Sequence, residues 1–169
     1  MSKQKNQEEI GFQQKYCELK AEEFLSEHNI KNYKLKFQHG TPSVMLVDVE
    51  DDVDLSHQNL IDDDITNLHR IKFNIIRGNF NCSNNKLASL NFCPKCVVGD
   101  FNCSHNQLTS LKNAPEYVGK NFDCSYNNIS DITNLPTQYI GGNFYAYGAG
   151  NTFEITDELR KIVKGDIYK

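Results

Sequence analysis

With 169 residues and a formal net charge of −4, the chain is long enough to bury one continuous core without metal or disulfide staples. Generic binding to a phosphate backbone is excluded, because that affinity draws on Lys and Arg and the arginines are only Arg70, Arg77 and Arg160. Size demands no cofactor, and none is expected.

Residues 1–14 are polar and contain neither a signal-peptide core nor a stretch able to span a membrane. A cytoplasmic protein without a membrane partner is expected. Asn6 stands three residues before Glu9 in a capping pattern, and Ile10, Cys17, Ala21, Phe24 and Leu25 are spaced for one face of a helix reaching about His28. Tyr33, Leu35 and Phe37 then alternate as a strand, with a second strand from Val44 to Val49. Residues 1–52 read as an N-terminal cap.

Asp48, Glu50, Asp51, Asp52, Asp54, Asp62, Asp63 and Asp64 form the densest charge in the chain. They lack the calcium-loop spacing with its central Gly. Two readings stay open: a solvated acidic flank, or recognition of a basic protein surface in which Asp51, Asp52 and Asp54 take part.

The central stretch repeats. GNFNCSNNKLASL at 78–90 is followed by GDFNCSHNQLTSL at 99–111 and NFDCSYNNISDI at 121–132. The anchors Phe80, Phe101, Phe122 and Phe144 are 21, 21 and 22 residues apart, a period at which coils stack with one strand per turn. Phe and the Cys two residues later share one side of such a strand and point inward. Ile76, Val97, Val118 and Ile140 recur four residues before Phe, and Leu or Ile recurs after it. Asn85, Asn106 and Asn127 follow the strand, where an inward amide can satisfy backbone groups left unpaired in the bend. Pro94, Pro115 and Pro136 oppose helix on the convex side. Residues 53–60 match 101–108 with Asn and Gln exchanged, so Val53 opens a degenerate first coil, 27 residues before Phe80. The intervening loop is expected to bulge or hold a helical turn. Gly148 to Asn151 breaks the spacing and marks the end of regular stacking. Thr156 then caps a helix over 157–164 that Gly165 terminates.

These residues predict an α+β fold: a short leucine-rich-repeat-like solenoid at 53–151 with a parallel strand ladder, an extended or turn-like convex side, and helical caps at both ends, the second within 152–169. The repeat resembles the leucine-rich-repeat proteins common in tailed-bacteriophage genomes, whose units read about as Gly-Asp-Phe-x-Cys-Ser-x-Asn-x-Leu-Thr-Ser-Leu-x-x-x-Pro. It is closest at 99–115, good at 78–94 and weaker at 121–136, where Ile replaces both Leu residues. The resemblance implies the fold and, if the chain is phage-encoded, a role in binding and modulating a bacterial host protein.

No catalytic apparatus is legible. Cys82, Cys103 and Cys124 share one inward site, Cys93 matches Ala114, and Cys93-Pro94-Lys95-Cys96 has no second pair at ligand spacing, so reduced thiols and no metal are expected. A His57–Asp54 pair has no accompanying nucleophile. The reading is a non-catalytic protein-interaction module with a protein partner and no nucleic acid. A structural virion or assembly component and an enzyme with a site not visible in sequence are the alternatives. Outward strand positions place Asn102, Asp123 and Asn143 on the presented surface, which turns aromatic toward Tyr126, Tyr145 and Tyr147. Those tyrosines are either a binding hot spot or ordinary packing beneath the C-terminal helix.

Overall fold

The spacing of four residues between Val97 and Phe101 sets the architecture. Both side chains are fully buried, so the chain must turn a corner between them, and it does so at Gly99 and Asp100. Each turn of the coil therefore carries two short strands rather than the one expected. The computed structural model describes residues 2–38, 41–61 and 71–169.

The elements in chain order are α1 (Ser2–Glu27), β1 (Tyr33–Gln38), β2 (Thr41–Val49), β3 (Val53–Asp54), β4 (Ile71–Ile76), β5 (Phe80–Asn81), β6 (Cys96–Val97), β7 (Phe101–Asn102), β8 (Tyr117–Val118), β9 (Phe122–Asp123), β10 (Tyr139–Ile140), β11 (Phe144–Tyr145), α2 (Asp157–Ile162) and β12 (Ile167–Tyr168). They form two ladders, β1-β2-β4-β6-β8-β10 and β3-β5-β7-β9-β11-β12. β1 pairs antiparallel with β2, and the remaining neighbours pair parallel with like residues in register, Phe80 opposite Phe101 opposite Phe122 opposite Phe144. The molecule is an α+β solenoid of the leucine-rich-repeat-like kind, capped by helices at both ends.

Inside the coil the phenylalanine rings form a spine. Centroids from Phe80 to Phe101, Phe122 and Phe144 are 6.0, 4.9 and 5.3 Å apart, and Phe73 and Phe153 extend it at the two ends. Burial of each ring is worth roughly 1.5–3 kcal/mol. Leu55, Cys82, Cys103, Cys124 and Ala146 fill the adjacent inward column, all fully buried. Leu87, Leu90, Leu108, Leu111, Ile129 and Ile132 line the third side, which runs without a helix between residues 71 and 151.

The repeated asparagine closes the bend. Asn106 Oδ1 accepts from Leu87 N at 3.0 Å while its Nδ2 donates to the carbonyls of Cys82, Cys103 and Ser104 at 3.0–3.2 Å. Asn85 and Asn127 repeat this pattern, and so does Asn151. The Gly148 to Gly150 insertion loops out so that Asn151 regains the column.

The corner has its own ladder. Asp52 Oδ1 accepts from Asn79 N, Asn79 Oδ1 from Asp100 N, Asp100 Oδ1 from Asn121 N, Asn121 Oδ1 from Asn143 N, and Asn143 Oδ1 from Asp166 N, all at 2.7–2.9 Å. Each folded-over side chain occupies the space beside the next corner. A Cβ on Gly99 would stand 2.3 Å from Asn79 Oδ1 and 2.6 Å from Gly78 O, so no larger residue fits there.

At the N-terminal end, α1 begins upstream of Asn6, which is therefore not its cap. Cys17, Ala21, Phe24 and Leu25 are buried as expected, Cys17 and Ala21 against Met45, but Ile10 is exposed. The expected bulge or helical turn after Asp62 lies outside the described residues. At the other end Thr156 Oγ1 accepts from Leu159 N at 3.2 Å, the expected cap. Gly165 does not terminate α2, which ends at Ile162. Instead Val163 bridges to Ile140, Gly165 N donates to Gly142 O, and β12 pairs with β11. Residues 163–169 thus add a sixth rung to the second ladder.

Candidate functional site

The second ladder presents its outward positions in columns. Register pairs align Asp54, Asn81, Asn102, Asp123, Tyr145 and Tyr168. Four residues beyond the anchor positions Val53, Phe80, Phe101, Phe122 and Phe144 stand His57, Asn84, His105, Tyr126 and Gly148, every one with positive φ. In that left-handed turn Asn, His and Gly are inexpensive, whereas a bulky residue such as Tyr126, at φ 55°, is strained.

The polar residues read as presented are mostly committed to their own backbone. Asn102 Oδ1 accepts from Ser104 N and Asp123 Oδ1 from Ser125 N, both at 2.9 Å, holding the turn after the strand. Asn143 belongs to the corner ladder and gives its Nδ2 to Tyr145 Oη at 2.9 Å. At the first rung Asp51 takes Asn32 Nδ2, Asp52 takes Asn79 N and Asp54 takes Ser56 N. These three acids therefore sit at the opposite end of the ladder from the tyrosines, and the fold does not bring the two groups together. Asp54 also points its oxygen at Ser56 rather than at a histidine.

The tyrosines do converge. Tyr145, Tyr147 and Tyr168 form a triangle: Tyr145 stacks on Tyr168 at 5.1 Å and 9°, and Tyr147 lies 6.1 Å from Tyr145 and 6.2 Å from Tyr168. One rung back, Tyr126 stacks on His105 at 4.4 Å. Packing beneath the C-terminal helix is not what holds them: Tyr126 is 54% and Tyr147 40% exposed. Helix α2 lies on the third side, where Thr156, Leu159 and Ile162 face Ile132, Leu135 and Thr137 across an open cleft of about 420 Å³.

No known family, curated protein or solved structure matches the chain. Its surface chemistry has to be read from its own residues.

Tyr168 lies outside the expected set of presented tyrosines, and His105, which shares an outward repeat position with His57, has no binding role in that expectation. The signal for Tyr168 lies in Val163-Lys164-Gly165-Asp166-Ile167-Tyr168, which shares its Val, Gly and Asp with Val97-Val98-Gly99-Asp100-Phe101-Asn102 and keeps an apolar residue opposite Phe101. Tyr168 Oη donates to Asp166 Oδ2 at 3.3 Å. The carboxylate beside it raises the phenol's pKa above the ordinary value, so the ring stays a neutral hydroxyl donor.

None of the six cysteines is in a disulfide. Burial pushes the thiols of Cys103 and Cys124 well up and that of half-buried Cys96 up, which suits packing rather than nucleophilic chemistry. Among the described residues no three His, Cys, Asp or Glu are grouped to hold a metal ion. No described helix is long and apolar enough to cross a membrane.

Proposed function

We propose that the chain is a non-catalytic protein-interaction module whose second ladder binds a protein partner through Tyr126, Tyr145, Tyr147 and Tyr168. The carrying observation is the aromatic cluster itself: four tyrosines on one outward face of a rigid parallel ladder, three of them substantially exposed. Rings of this kind contribute apolar area and a hydroxyl at little entropic cost, the chemistry of interface anchors. Tyr126 adds support, because its left-handed backbone would be relieved by the Asn or Gly that other rungs carry there. Asn102, Asp123 and Asn143 orient the surface and present their remaining polar atoms.

The resemblance of the repeat to tailed-phage leucine-rich-repeat proteins gives this module a setting: a phage protein in the bacterial cytoplasm that binds and modulates a host protein. The net charge of −4 sets nucleic acid aside as a partner.

Co-purification from bacterial lysate with wild-type bait and with the Tyr145→Ser/Tyr147→Ser double variant tests the reading. A stoichiometric protein captured by the wild type and lost by a variant of unchanged thermal midpoint is the expected result. Retention by the folded double variant would move the interface elsewhere.

A further inference from the structure

The outward side of the first ladder carries a column that is aromatic at one end and gapped in its middle. Register pairs set Ile75, Cys96, Tyr117 and Tyr139 on successive rungs, and burial of the adjoining Ile76, Val97, Val118 and Ile140 turns these four outward. Tyr117 and Tyr139 stack at 5.1 Å and 7°. Lys164 closes the far end of that stack, its Nζ lying 5.7 Å from the Tyr139 centroid. The near end is open: among the described residues no second ring stacks on Tyr117 from the Cys96 side.

Cys96 makes that opening a slot. Rungs of a parallel ladder repeat at about 4.8 Å, so the Ile75 and Tyr117 rungs stand about 9.6 Å apart with only a thiol between them. A further ring centred on the Cys96 rung would lie about 4.8 Å from Tyr117, close to the spacing that Tyr139 keeps on the other side. Tyr117 is 40% and the neighbouring Val98 43% exposed, so the slot opens to solvent. Burial raises the pKa of the Cys96 thiol and keeps the floor uncharged, while the Arg77 charge acts on it in the opposite sense from close by.

Charge on this face departs from that of the whole chain. Lys34, Lys36, Lys72, Arg77, Lys95 and Lys164 stand there against Asp48, Glu50 and Glu116, an excess of cations in a chain of net charge −4. The pairs beside the slot, Arg77 with Glu50 and Lys95 with Glu116, are solvent-exposed, and such pairs exchange partners at little cost. Single carboxylates are therefore accepted at the rim, whereas a phosphate backbone would have to run past Glu50 and Glu116.

We infer that the first ladder is a second docking surface, where an acidic protein segment inserts one aromatic side chain between Ile75 and Tyr117, over Cys96, and sets its flanking carboxylates on Arg77 and Lys95. This surface lies on the other ladder from the tyrosine cluster and does not rest on it.

The probe is the blocked peptide Ac-Ser-Glu-Trp-Asp-Ser-NH2, with one version carrying Leu for Trp and another carrying Gln and Asn for the acids. Each is titrated at millimolar concentration into the ¹⁵N-labelled full chain. The chain has no tryptophan, so indole emission reports the same event independently. The acidic Trp peptide is expected to shift the amides of Ile75, Cys96 and Tyr117 and to move its emission to shorter wavelength. Its affinity should be roughly threefold or more above the Leu peptide and roughly twofold or more above the uncharged one. Cys96→Tyr sets one of the chain's own rings in the slot and should abolish binding that Cys96→Ser keeps. Tyr117→Ser, which removes an exposed wall, should bring the Trp peptide down to the level of the Leu peptide. Equal binding of the Trp peptide and either control, binding retained by a folded Cys96→Tyr, or no shift at all would overturn the proposal. So would an oligothymidylate that shifts these amides more strongly than the peptide, which would make the occupant a nucleic acid, or shifts on diluting the chain alone, which would make it a second copy. The Tyr145→Ser/Tyr147→Ser variant is unaltered on this ladder and should bind the peptide as the wild type does, so the two surfaces stand or fall separately.

Discussion

Replacing Asn106 with Ala probes the element that closes each bend. The amide sits in the interior, accepting from Leu87 N at 3.0 Å and donating to the Cys82 and Cys103 carbonyls at 3.0 and 3.2 Å. Truncation leaves a buried N–H with no acceptor and three carbonyls, those of Cys82, Cys103 and Ser104, with one partner fewer. An orphaned buried donor costs about 1–3 kcal/mol. Adding the weakened carbonyls and the small void gives a loss of about 3 kcal/mol, or roughly 6–12 °C in midpoint for a chain of this size. The matched control is Asn91→Ala, which removes an exposed side-chain pair with Asn113 and should change stability by about 0.5 kcal/mol or less. Urea unfolding followed by far-ultraviolet circular dichroism reads both. If Asn106→Ala were no more destabilising than Asn91→Ala, the asparagine column would be decoration and the bend would be held by something else.

Three further outcomes follow from the same packing. Cys103→Asp should prevent cooperative folding, because it sets a carboxylate between Cys82 and Cys124 in a fully buried column. Asn102→Asp should be nearly neutral, since Asp54 and Asp123 already make the same turn bond with their own Ser N–H groups; equal thermal losses from the two substitutions would contradict the inward and outward assignment. Gly99→Ala forces a Cβ against Asn79 and Gly78 and should cost about 2 kcal/mol or more, whereas Gly11→Ala meets nothing within 4 Å in α1 and should stabilise by about 0.5–1 kcal/mol; midpoints moving in the same direction would count against the corner argument. Burial of Asp48 opposes its ionisation but is outweighed by Lys36, Asn74 and the Ile75 N–H, leaving its pKa below the usual carboxylate value. Its stabilising contribution is therefore complete above the unfolded value near 3.8 and disappears as pH falls through the lower folded one. Asp48→Asn should flatten that part of the acid-unfolding profile, and an unchanged profile would show that Asp48 is not linked to folding.

What was legible in the sequence was whatever recurs with a distinctive side chain. The Phe, Cys and Asn columns recur every 21 or 22 residues, and each proves to be an interior column with the direction expected of it. The strand at Val97, Val118 and Ile140 was harder to see, because a two-residue strand has no alternation of its own and shows only as an apolar residue at fixed distance from Phe. The corner ladder was hidden by its chemistry. Asn and Asp exchange freely there, since only the oxygen is used, and residues such as Asn143 resemble free surface amides until the backbone N–H of the next rung is in place. The sixth rung escaped because Ile167 replaces Phe and Lys169 stands where Cys stood, although the Gly165-Asp166 corner was intact. The tyrosine cluster needed that rung, since Tyr168 is the ring that stacks on Tyr145.

The corner glycines also give the array a direction. Every rung with another ahead of it has a glycine at one of two adjacent corner positions: Gly78, Gly99, Gly119, Gly141 with Gly142, and Gly165. The first rung has Glu50 and Asp51 there instead. A second copy offering its Tyr168 edge to Val53 would drive the Asp51 Cβ into the folded-over Asp166 side chain and set Asp166 against Asp52. Head-to-tail polymerisation is thus blocked by one missing glycine, a built-in end-stop. Head-to-tail chains are therefore not expected, and the sedimentation coefficient should not climb steadily with concentration across the micromolar range.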